Sequence, residues 1–293
     1  MDTGASREAF DQLIGQLRPK LHRYCARMTG SVIDGEDVVQ EALLKALEAF
    51  NEAGPIASPE GWLFRIAHNA ALDFLRRRLR QESNRSDEDP ETMVDPTSVA
   101  DDREIVVTSL RTFMRLPAAQ RSSVILMDVL GYSLQQIGDV TSLSIPGVKA
   151  ALHRGRARLR ALAQEPDDLT LPVLGERERA LLAAYVDRFN ARDVDAVRTM
   201  LADEVRLDLV AKVRLHGRTD VSKYFSNYAK AEDWLLVPGL VEGRAAALVR
   251  DPDDRSGKPG YFVLLEWDAD KLIGIRDFRF ARYAVEGAEM VVL

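Results

Sequence analysis

Residues Leu116 to Leu162 read LPAAQRSSVILMDVLGYSLQQIGDVTSLSIPGVKAALHRGRARLRAL, and this stretch decides the fold around it. Its apolar residues recur at helical spacing, with a bend at 130–132 and a turn at 141–143. We therefore predict a helix, a short helix and a final basic helix. Ser144 can cap the final helix, and Pro146 suits its first turn. The last two helices have the form of a helix-turn-helix, whose second helix enters the major groove of DNA.

The final helix separates an apolar face from a cationic one. Val148, Leu152, Gly155 and Leu159 fall at helical spacing and are predicted to face the core. The opposite face carries polar and small residues, namely Pro146, Lys149, Ala150 and His153. The end of the helix is cationic, with Arg154, Arg156, Arg158 and Arg160. No acidic residue stands between Ile145 and Ala163. In a chain of net charge -6, this indicates a local phosphate-binding patch.

Composition limits the class of protein. The 293 residues are 46% hydrophobic and suffice for two or three small domains. The single cysteine, Cys25, excludes internal disulfides and favours a cytoplasmic location. The first ten residues lack the basic start and apolar run of a secretory signal, and no apolar run is long enough to span a bilayer. We expect no membrane partner.

The segment DGEDVVQEALLKALEAF, residues 34–50, predicts an amphipathic helix that Asp34 can cap. One face is apolar and is predicted to be buried. The opposite face carries Asp37, Gln40, Glu41, Leu44 and Glu48. Leu44 is an apolar residue among acids. It is either a tolerated surface leucine, which the helix pattern alone favours, or the centre of a partner surface with an acidic rim.

The segment PEGWLFRIAHNAALDFLRRRLRQ, residues 59–81, predicts a helix whose last third is strongly basic. Arg76, Arg77, Arg78 and Arg80 could simply stabilise the carboxyl end of the helix. Four arginines in five residues exceed that need and favour a phosphate-binding surface. Trp62 could stack on an unpaired base, although a tryptophan at helical spacing is more often part of the core.

The rest of the chain consists of two linkers and a different kind of domain. Residues 82–104 are acidic, contain two prolines and predict a flexible linker; residues 164–175 predict a second one. Beyond residue 176, two helices precede six stretches of alternating polarity, which indicate an α+β domain with a curved antiparallel sheet. The predicted organisation is two all-α modules at 6–82 and 105–163, linkers at 83–104 and 164–175, and the α+β domain at 176–293.

Three segments together resemble the extracytoplasmic-function sigma factors of the sigma-70 family. DGEDVVQEALLKALEAF resembles sigma region 2.2, and SPEGWLFRIAHNAALDFLRRRLR resembles regions 2.3 and 2.4. The opening stretch resembles region 4, with LPAAQRSSVILMDVLGYSLQQIGDV followed by SIPGVKAALHRGRARLR. The three blocks occur in the order and at the spacing expected of this family, which is far more specific than a lone helix-turn-helix.

This resemblance implies a function for each block. The region 2.2 helix would bind the clamp helices of the RNA polymerase β′ subunit through Asp37, Gln40, Glu41, Leu44 and Glu48. The region 2.4 helix would contact the −10 promoter element through Asn69, Asp73, Arg76, Arg77 and Arg78, with Arg80 and Trp62 as further candidates. Region 4 would bind the β flap and read the −35 element through Ser144, Pro146, Gly147, Lys149, Ala150, His153, Arg154, Arg156 and Arg158. Lys149 and His153 suit base edges, and the arginines suit phosphates.

Residues 176–293 resemble the SnoaL-like cone, which is related to ketosteroid isomerases. The segments that carry this resemblance are ERALLAAYVDRFNARDVDAVRTMLADEVRLD and HGRTDVSKYF. A glycine-rich DGGGK-type loop of other fused members is replaced here by DLVAKVRLHGR. Asp187, Asp208, His216, Tyr224 and Asp277 are candidates for a pocket, but no spacing among them identifies a catalytic site. We therefore expect a regulatory domain that could bind a small molecule, with no enzymatic activity, cofactor or metal.

The sequence thus predicts an RNA polymerase sigma factor that directs promoter-specific initiation, with two helical modules followed by a SnoaL-like cone that modulates its activity. One alternative is a ligand-sensing helix-turn-helix regulator that binds an operator without polymerase. It leaves the region 2.2 and 2.4 blocks unexplained. The other alternative is a SnoaL-like enzyme fused to a DNA-binding module.

Overall fold

The computed structural model describes residues 3–50, 56–83, 109–165, 173–228 and 234–293. The chain divides into two compact units, Met1–Asp167 and Asp168–Leu293, called unit 1 and unit 2 below. The division lies within residues 164–175, the predicted second linker. The predicted acidic linker, apart from the helical Ser83, lies outside the described residues.

The described part of unit 1 is helical. Its elements are α1 Thr3–Thr29, α2 Val32–Phe50, α3 Pro59–Ser83, α4 Leu110–Met114, α5 Ala118–Val124, a π-helical turn Ile125–Val129, α6 Leu134–Thr141 and α7 Ile145–Ala163. Pro19 lies inside α1 without dividing it. The π-helical turn, which continues α5, has no signature in the apolar spacing and was not predicted.

The turn between α1 and α2 corrects the predicted cap of α2. The Ser31 hydroxyl, and not Asp34, accepts the free backbone N–H of the first turn, with 3.0 Å between Asp34 N and Ser31 Oγ. The chain reverses at Gly30, whose φ is +78°. A side chain at Gly30 would meet Met114 on α4, since a Cβ there would lie 2.3 Å from Met114 Cγ. Helix α2 therefore begins two residues earlier than predicted.

The two predicted helical modules share one apolar core in unit 1. Tyr24 of α1 and Phe64 of α3 belong to the same buried cluster as Phe113 of α4 and Leu152 of α7. Tyr132 packs on Phe64 with 5.1 Å between ring centroids. Packing of this kind removes apolar surface of both modules from water. The sequence treats residues 6–82 and 105–163 as separate modules, whereas the structure packs them together.

The helix-turn-helix has the predicted form, with one additional cap. Ser133 and Gln136 form a capping box at the start of α6, in which each side chain binds the backbone of the other. The turn passes through Ser142 in a left-handed conformation, with φ of +62°. Ser144 caps α7, and its hydroxyl accepts from Gly147 N at 3.2 Å. The predicted apolar stripe of α7 is buried, which confirms its orientation.

Unit 2 is an α+β domain, as predicted. Its helices are α8 Glu176–Asn190, α9 Val194–Met200 and α10 Arg218–Tyr228, and its strands are β1 Leu201–Leu209, β2 Val213–His216, β3 Leu235–Val241, β4 Arg244–Arg250, β5 Tyr261–Asp268, β6 Lys271–Asp277 and β7 Met290–Val292. A short 3₁₀ helix spans Arg282–Val285. Helix α10 and strand β7 were not among the predicted elements.

The sheet is mixed, which corrects the prediction of an antiparallel sheet. Its strand order is β2-β1-β6-β5-β4-β3-β7, and β1 and β6 run parallel. The other neighbouring pairs are antiparallel. One edge of β1 pairs with β2 in a hairpin, and its other edge pairs with β6. The direction of β6 is set by its own hairpin with β5. Strand pairing between distant segments leaves no mark in local alternation.

Candidate functional site

The predicted polar face of α2 is brought together on the outside of unit 1. Asp37, Leu44 and Glu48 are exposed, and Gln40 and Glu41 are half-buried at the edge of the face. Leu44 exposes 60% of its surface, although the opposite stripe of α2 is buried. An exposed leucine with carboxylates around it matches the composition of a protein-binding surface.

The arginines at the end of α3 are exposed, and three of them have carboxylate partners within unit 1. Arg76 Nη1 lies 3.1 Å from Asp73 Oδ1 on the same helix. Arg77 Nη2 donates to Glu41 Oε2 at 2.8 Å, and Arg78 Nη1 lies 3.7 Å from Asp34 Oδ2. Arg80 and the candidate Asn69 are exposed. The cationic end of α3 is thus accessible, but it is partly neutralised by acidic residues of α2 and of α3 itself.

Trp62 is placed as a core residue. Its ring is half-buried and lies 6.0 Å from the ring of Phe10, at the edge of the apolar core of unit 1. His68 is buried, and its Nδ1 lies 2.7 Å from the hydroxyl of Tyr24. Burial lowers the pKa of His68 to about 4, so its imidazole is neutral at pH 7. These contacts favour the core interpretation of Trp62, and they place His68 against the buried Tyr24.

Helix α7 presents part of the predicted DNA-contacting set to solvent. Pro146, Lys149, Arg154 and Arg158 are exposed, as is the capping residue Ser144. Gly147, Ala150 and His153 are half-buried beside them. These residues lie on the first turns and outer side of the helix, where a recognition helix meets base edges.

Arg156 has a different environment from the other arginines of α7. Its Nε donates to Oδ2 of Asp128 at 3.0 Å, and its Nη2 contacts Oδ1 of the same carboxylate. The Asp128 side chain is only 1% exposed. A buried carboxylate without a cation is costly, so this pair favours a structural role for Arg156 over the predicted phosphate contact. The signal available in the sequence was Asp128 itself, an acid inside the apolar run VILMDVL.

The five candidate pocket residues of unit 2 do not form one site. Asp208 and His216 line a groove of about 850 Å³ on the sheet, whose other charged lining includes Arg206, Arg214 and Arg276. Asp187 lies exposed on α8 and does not line this groove. Tyr224 and Asp277 are buried in the core. The candidates are thus divided between the groove, an exposed side of α8 and the core. Asp208 and Asp277 are separated although β1 and β6 are paired, because successive residues of a strand point to opposite faces of the sheet.

Asp277 forms a buried hydrogen-bonded cluster with two tyrosines. The hydroxyls of Tyr224 and Tyr228 donate to Asp277 Oδ2 at 2.5 and 2.6 Å, and Arg279 N donates to Oδ1 at 2.7 Å. Burial raises the pKa of Asp277, although these three bonds favour its charged form. Burial also raises the pKa of Tyr224 and of Tyr228. Both carboxylate oxygens thus have partners within the core of unit 2.

The part of the chain that the structure describes contains neither a metal-binding cluster nor a membrane-spanning helix. Within these ranges, no group of three or more His, Cys, Asp and Glu side chains is placed to hold a metal ion. None of the described helices combines the length and apolar character that a membrane span needs.

Comparison with known proteins identifies the family. Residues 13–81 match the family model of Sigma-70 region 2, and residues 110–159 match that of Sigma-70, region 4. The chain is 33% identical over 156 residues to the ECF RNA polymerase sigma factor SigM of Mycobacterium tuberculosis. This match covers 53% of this chain and 78% of SigM. The chain belongs to the ECF sigma factors of the sigma-70 family.

Two further similarities extend beyond the sigma regions. The ECF RNA polymerase sigma factor SigG of Mycobacterium tuberculosis is 29% identical over 212 residues, which are 64% of this chain and 57% of SigG. The chain thus spans little more than half the length of that relative. The crystal structure of the Mycobacterium tuberculosis extracytoplasmic function sigma factor SigJ covers 91% of this chain and 95% of its own, at 18% identity and a TM-score of 0.37.

Proposed function

We propose that this protein is an RNA polymerase sigma factor that binds core polymerase in the cytoplasm and directs promoter-specific initiation of transcription. The observation that supports it best is the occurrence of sigma region 2 and region 4, in order, on the residues that form the α2–α3 pair and the helix-turn-helix. The helix-turn-helix alone would suit many regulators. The added region 2 has no role in an operator-binding repressor.

Each of three surfaces of unit 1 has its own binding partner in this function. The face of α2 around Leu44 binds the β′ clamp helices, and the arginine-rich end of α3 contacts the −10 element. The exposed side of α7 reads the −35 element, while the rest of region 4 binds the β flap. Exposure of Leu44 with an acidic rim supports the first assignment, and the exposed cations of α3 and α7 support the others.

Unit 2 modulates the activity of unit 1 and carries out no bond chemistry. The cluster of Asp277, Tyr224 and Tyr228 supports a structural role for these groups, because each carboxylate oxygen is already hydrogen-bonded. A second function, binding of a small molecule, is favoured by the groove that Asp208 and His216 line.

Transcription in vitro with core polymerase tests the main proposal. The full-length chain should give transcripts that start at defined promoters, and core polymerase alone should not. Failure to obtain any promoter-dependent transcript would contradict the proposal.

The α2 surface is tested by binding to core polymerase. Leu44→Asp should weaken binding on the order of ten-fold, because it places a charge at the apolar centre of the interface. Leu79→Asp is the matched control, since Leu79 is also 60% exposed but lies on α3. Circular dichroism should find both variants folded. Normal core binding by Leu44→Asp would refute the assigned surface.

A further inference from the structure

Glu41 connects the two neighbouring surfaces proposed for polymerase and for promoter DNA. It lies on α2, and its Oε2 accepts a hydrogen bond from Arg77 Nη2 of α3 at 2.8 Å. Its other oxygen, Oε1, lies 2.8 Å from Lys45 Nζ. Partial burial raises the pKa of Glu41, but the bonds from Arg77 and Lys45 outweigh it and leave that pKa below its ordinary value. Glu41 is thus an anion with a cation at each oxygen.

Glu41 lies at the edge of the proposed polymerase-binding face, beside its apolar centre. Glu41 and Leu44 are three residues apart on α2, so they are neighbours on one side of the helix. A partner that covers Leu44 also meets Glu41. The ion pairs of the two neighbouring arginines do not involve residues next to Leu44. Arg76 pairs with Asp73 on α3, and Arg78 pairs with Asp34 at the start of α2.

A carboxylate oxygen that holds the Arg77 guanidinium is less available to a cation of another protein. In the same way, a guanidinium bound to Glu41 is less available to a phosphate. The Arg77 side chain is 50% exposed and that of Glu41 31%, so both can exchange partners without unfolding of either helix. The internal bond between Glu41 and Arg77 therefore competes with two external ones, that of Glu41 to a cation of a partner protein and that of Arg77 to a phosphate.

We propose that the Glu41–Arg77 pair couples polymerase docking to promoter contact: docking on α2 takes Glu41 from Arg77 and releases the guanidinium for a DNA phosphate. This inference rests on the proposed sigma-factor function. Coupling between two binding events is reciprocal, so loss of the internal pair favours each of them. Ion pairs this exposed are weak, and the expected effect is about two- to five-fold in affinity.

Binding of the full-length protein to core polymerase, in the absence of DNA, tests the coupling. Arg77→Ala should tighten binding by about two- to five-fold, because Glu41 loses its internal competitor. Arg80→Ala is the matched control, since it removes the same charge from an exposed position of the same helix. A purely structural role for Arg77 would give weaker binding instead. In the background of Glu41→Gln, Arg77→Ala should have no more effect than Arg80→Ala.

The outcomes separate the coupling from the function beneath it. Equal effects of Arg77→Ala and Arg80→Ala would overturn the coupling, as would a gain from Arg77→Ala that persists with Glu41→Gln. In either case the unmodified chain still binds core polymerase and the proposed function stands. If the unmodified chain does not bind core polymerase, the proposed function and the coupling both fail.

Discussion

Arg121 stabilises unit 1 from within the core. Its Nη1 donates to Met28 O at 2.6 Å, and its Nη2 donates to Met114 O at 3.1 Å and Leu116 O at 2.8 Å. The residue is 5% exposed, and burial lowers the pKa of its guanidinium to about 10, which keeps it charged at pH 7. One side chain thus satisfies carbonyl oxygens at the end of α1, at the end of α4 and before α5.

Arg121→Ala should lower the free energy of unfolding of unit 1 by about 2–4 kcal/mol, because buried carbonyls lose their donors and the substitution leaves a cavity. Urea unfolding followed by the helical circular dichroism signal measures this loss. Arg115→Ala is the control, since its ion pair with Glu165 is exposed and screened by solvent, so its loss should change the free energy of unfolding little. A similar small loss for both variants would contradict this account of Arg121.

Asp277 makes the stability of unit 2 depend on pH. Burial raises its pKa in the folded chain above that in the unfolded chain. The stabilisation that comes from its protonated form is therefore complete below the ordinary pKa of aspartate, about 4. It is lost as pH rises through the higher, folded pKa.

Asp277→Asn should remove this contribution, because the amide does not titrate. The melting temperature of the variant should improve relative to the unmodified chain as pH rises from about 4, and the difference should become constant above the folded pKa. Thermal unfolding over a series of pH values measures it. Asp187→Asn, at an exposed site on α8, serves as the control. A difference that does not change with pH would refute the assignment to Asp277.

At the scale of single elements, periodicity in the sequence predicted the long helices well. The buried stripes of α2 and α7 lie as expected because each helix has only one apolar side to bury. Ends were less certain: Ser31 caps α2 in place of Asp34, since both residue types suit that position and only the path of the turn selects one. The parallel β1–β6 pair joins distant segments and has no local signal.

The contact between α5 and α7 depends on Gly155. A Cβ at this position would lie 2.8 Å from Val124 Cγ2 and 3.3 Å from Gln120 O. Gly155→Ala should therefore force α7 away from α5 and lower the free energy of unfolding by about 1–3 kcal/mol. Gly15→Ala in α1 is the control of opposite sign, because a Cβ there meets nothing within 4 Å.

Gly15→Ala should raise the free energy of unfolding by about 0.5–1 kcal/mol, since alanine favours a helix more than glycine does. Urea unfolding of the two variants under the same conditions measures both effects. A stabilising Gly155→Ala would mean that the two helices do not need to approach this closely.

At the scale of the whole molecule, unit 1 contains contacts that join the two sigma regions. The Tyr132 hydroxyl, beyond the π-helical turn, donates to Glu60 Oε1 of α3 at 2.5 Å, and Lys20 Nζ of α1 lies 2.6 Å from the same oxygen. Lys20 Nζ also lies 4.4 Å from the centre of the Tyr132 ring. Regions that the sequence separates by an acidic segment are thus held together by polar as well as apolar contacts.

Removal of unit 2 tests its proposed regulatory role. A chain that ends after Glu165 keeps the described helices of unit 1, so its transcription from one promoter can be compared with that of the full-length chain. We expect the amount of transcript to change by more than about two-fold, because a second unit in the same chain can change the affinity of unit 1 for polymerase or promoter. An increase identifies unit 2 as inhibitory and a decrease as activating. Equal output from both chains would contradict modulation.

The sequence by itself determined the family, the order of the two sigma regions, the outward face of α2 and the orientation of the recognition helix. The family and the order of the regions follow from the resemblance of three segments to sigma regions, and the two helix orientations follow from local periodicity. Only the tertiary structure decided that Arg156 pairs with Asp128 and that Arg77 pairs with Glu41. It also decided that Asp208 and Asp277, on the paired strands β1 and β6, face opposite sides of the sheet. The partner of a charged side chain is set by which distant segment packs against it, and local spacing carries no record of that packing.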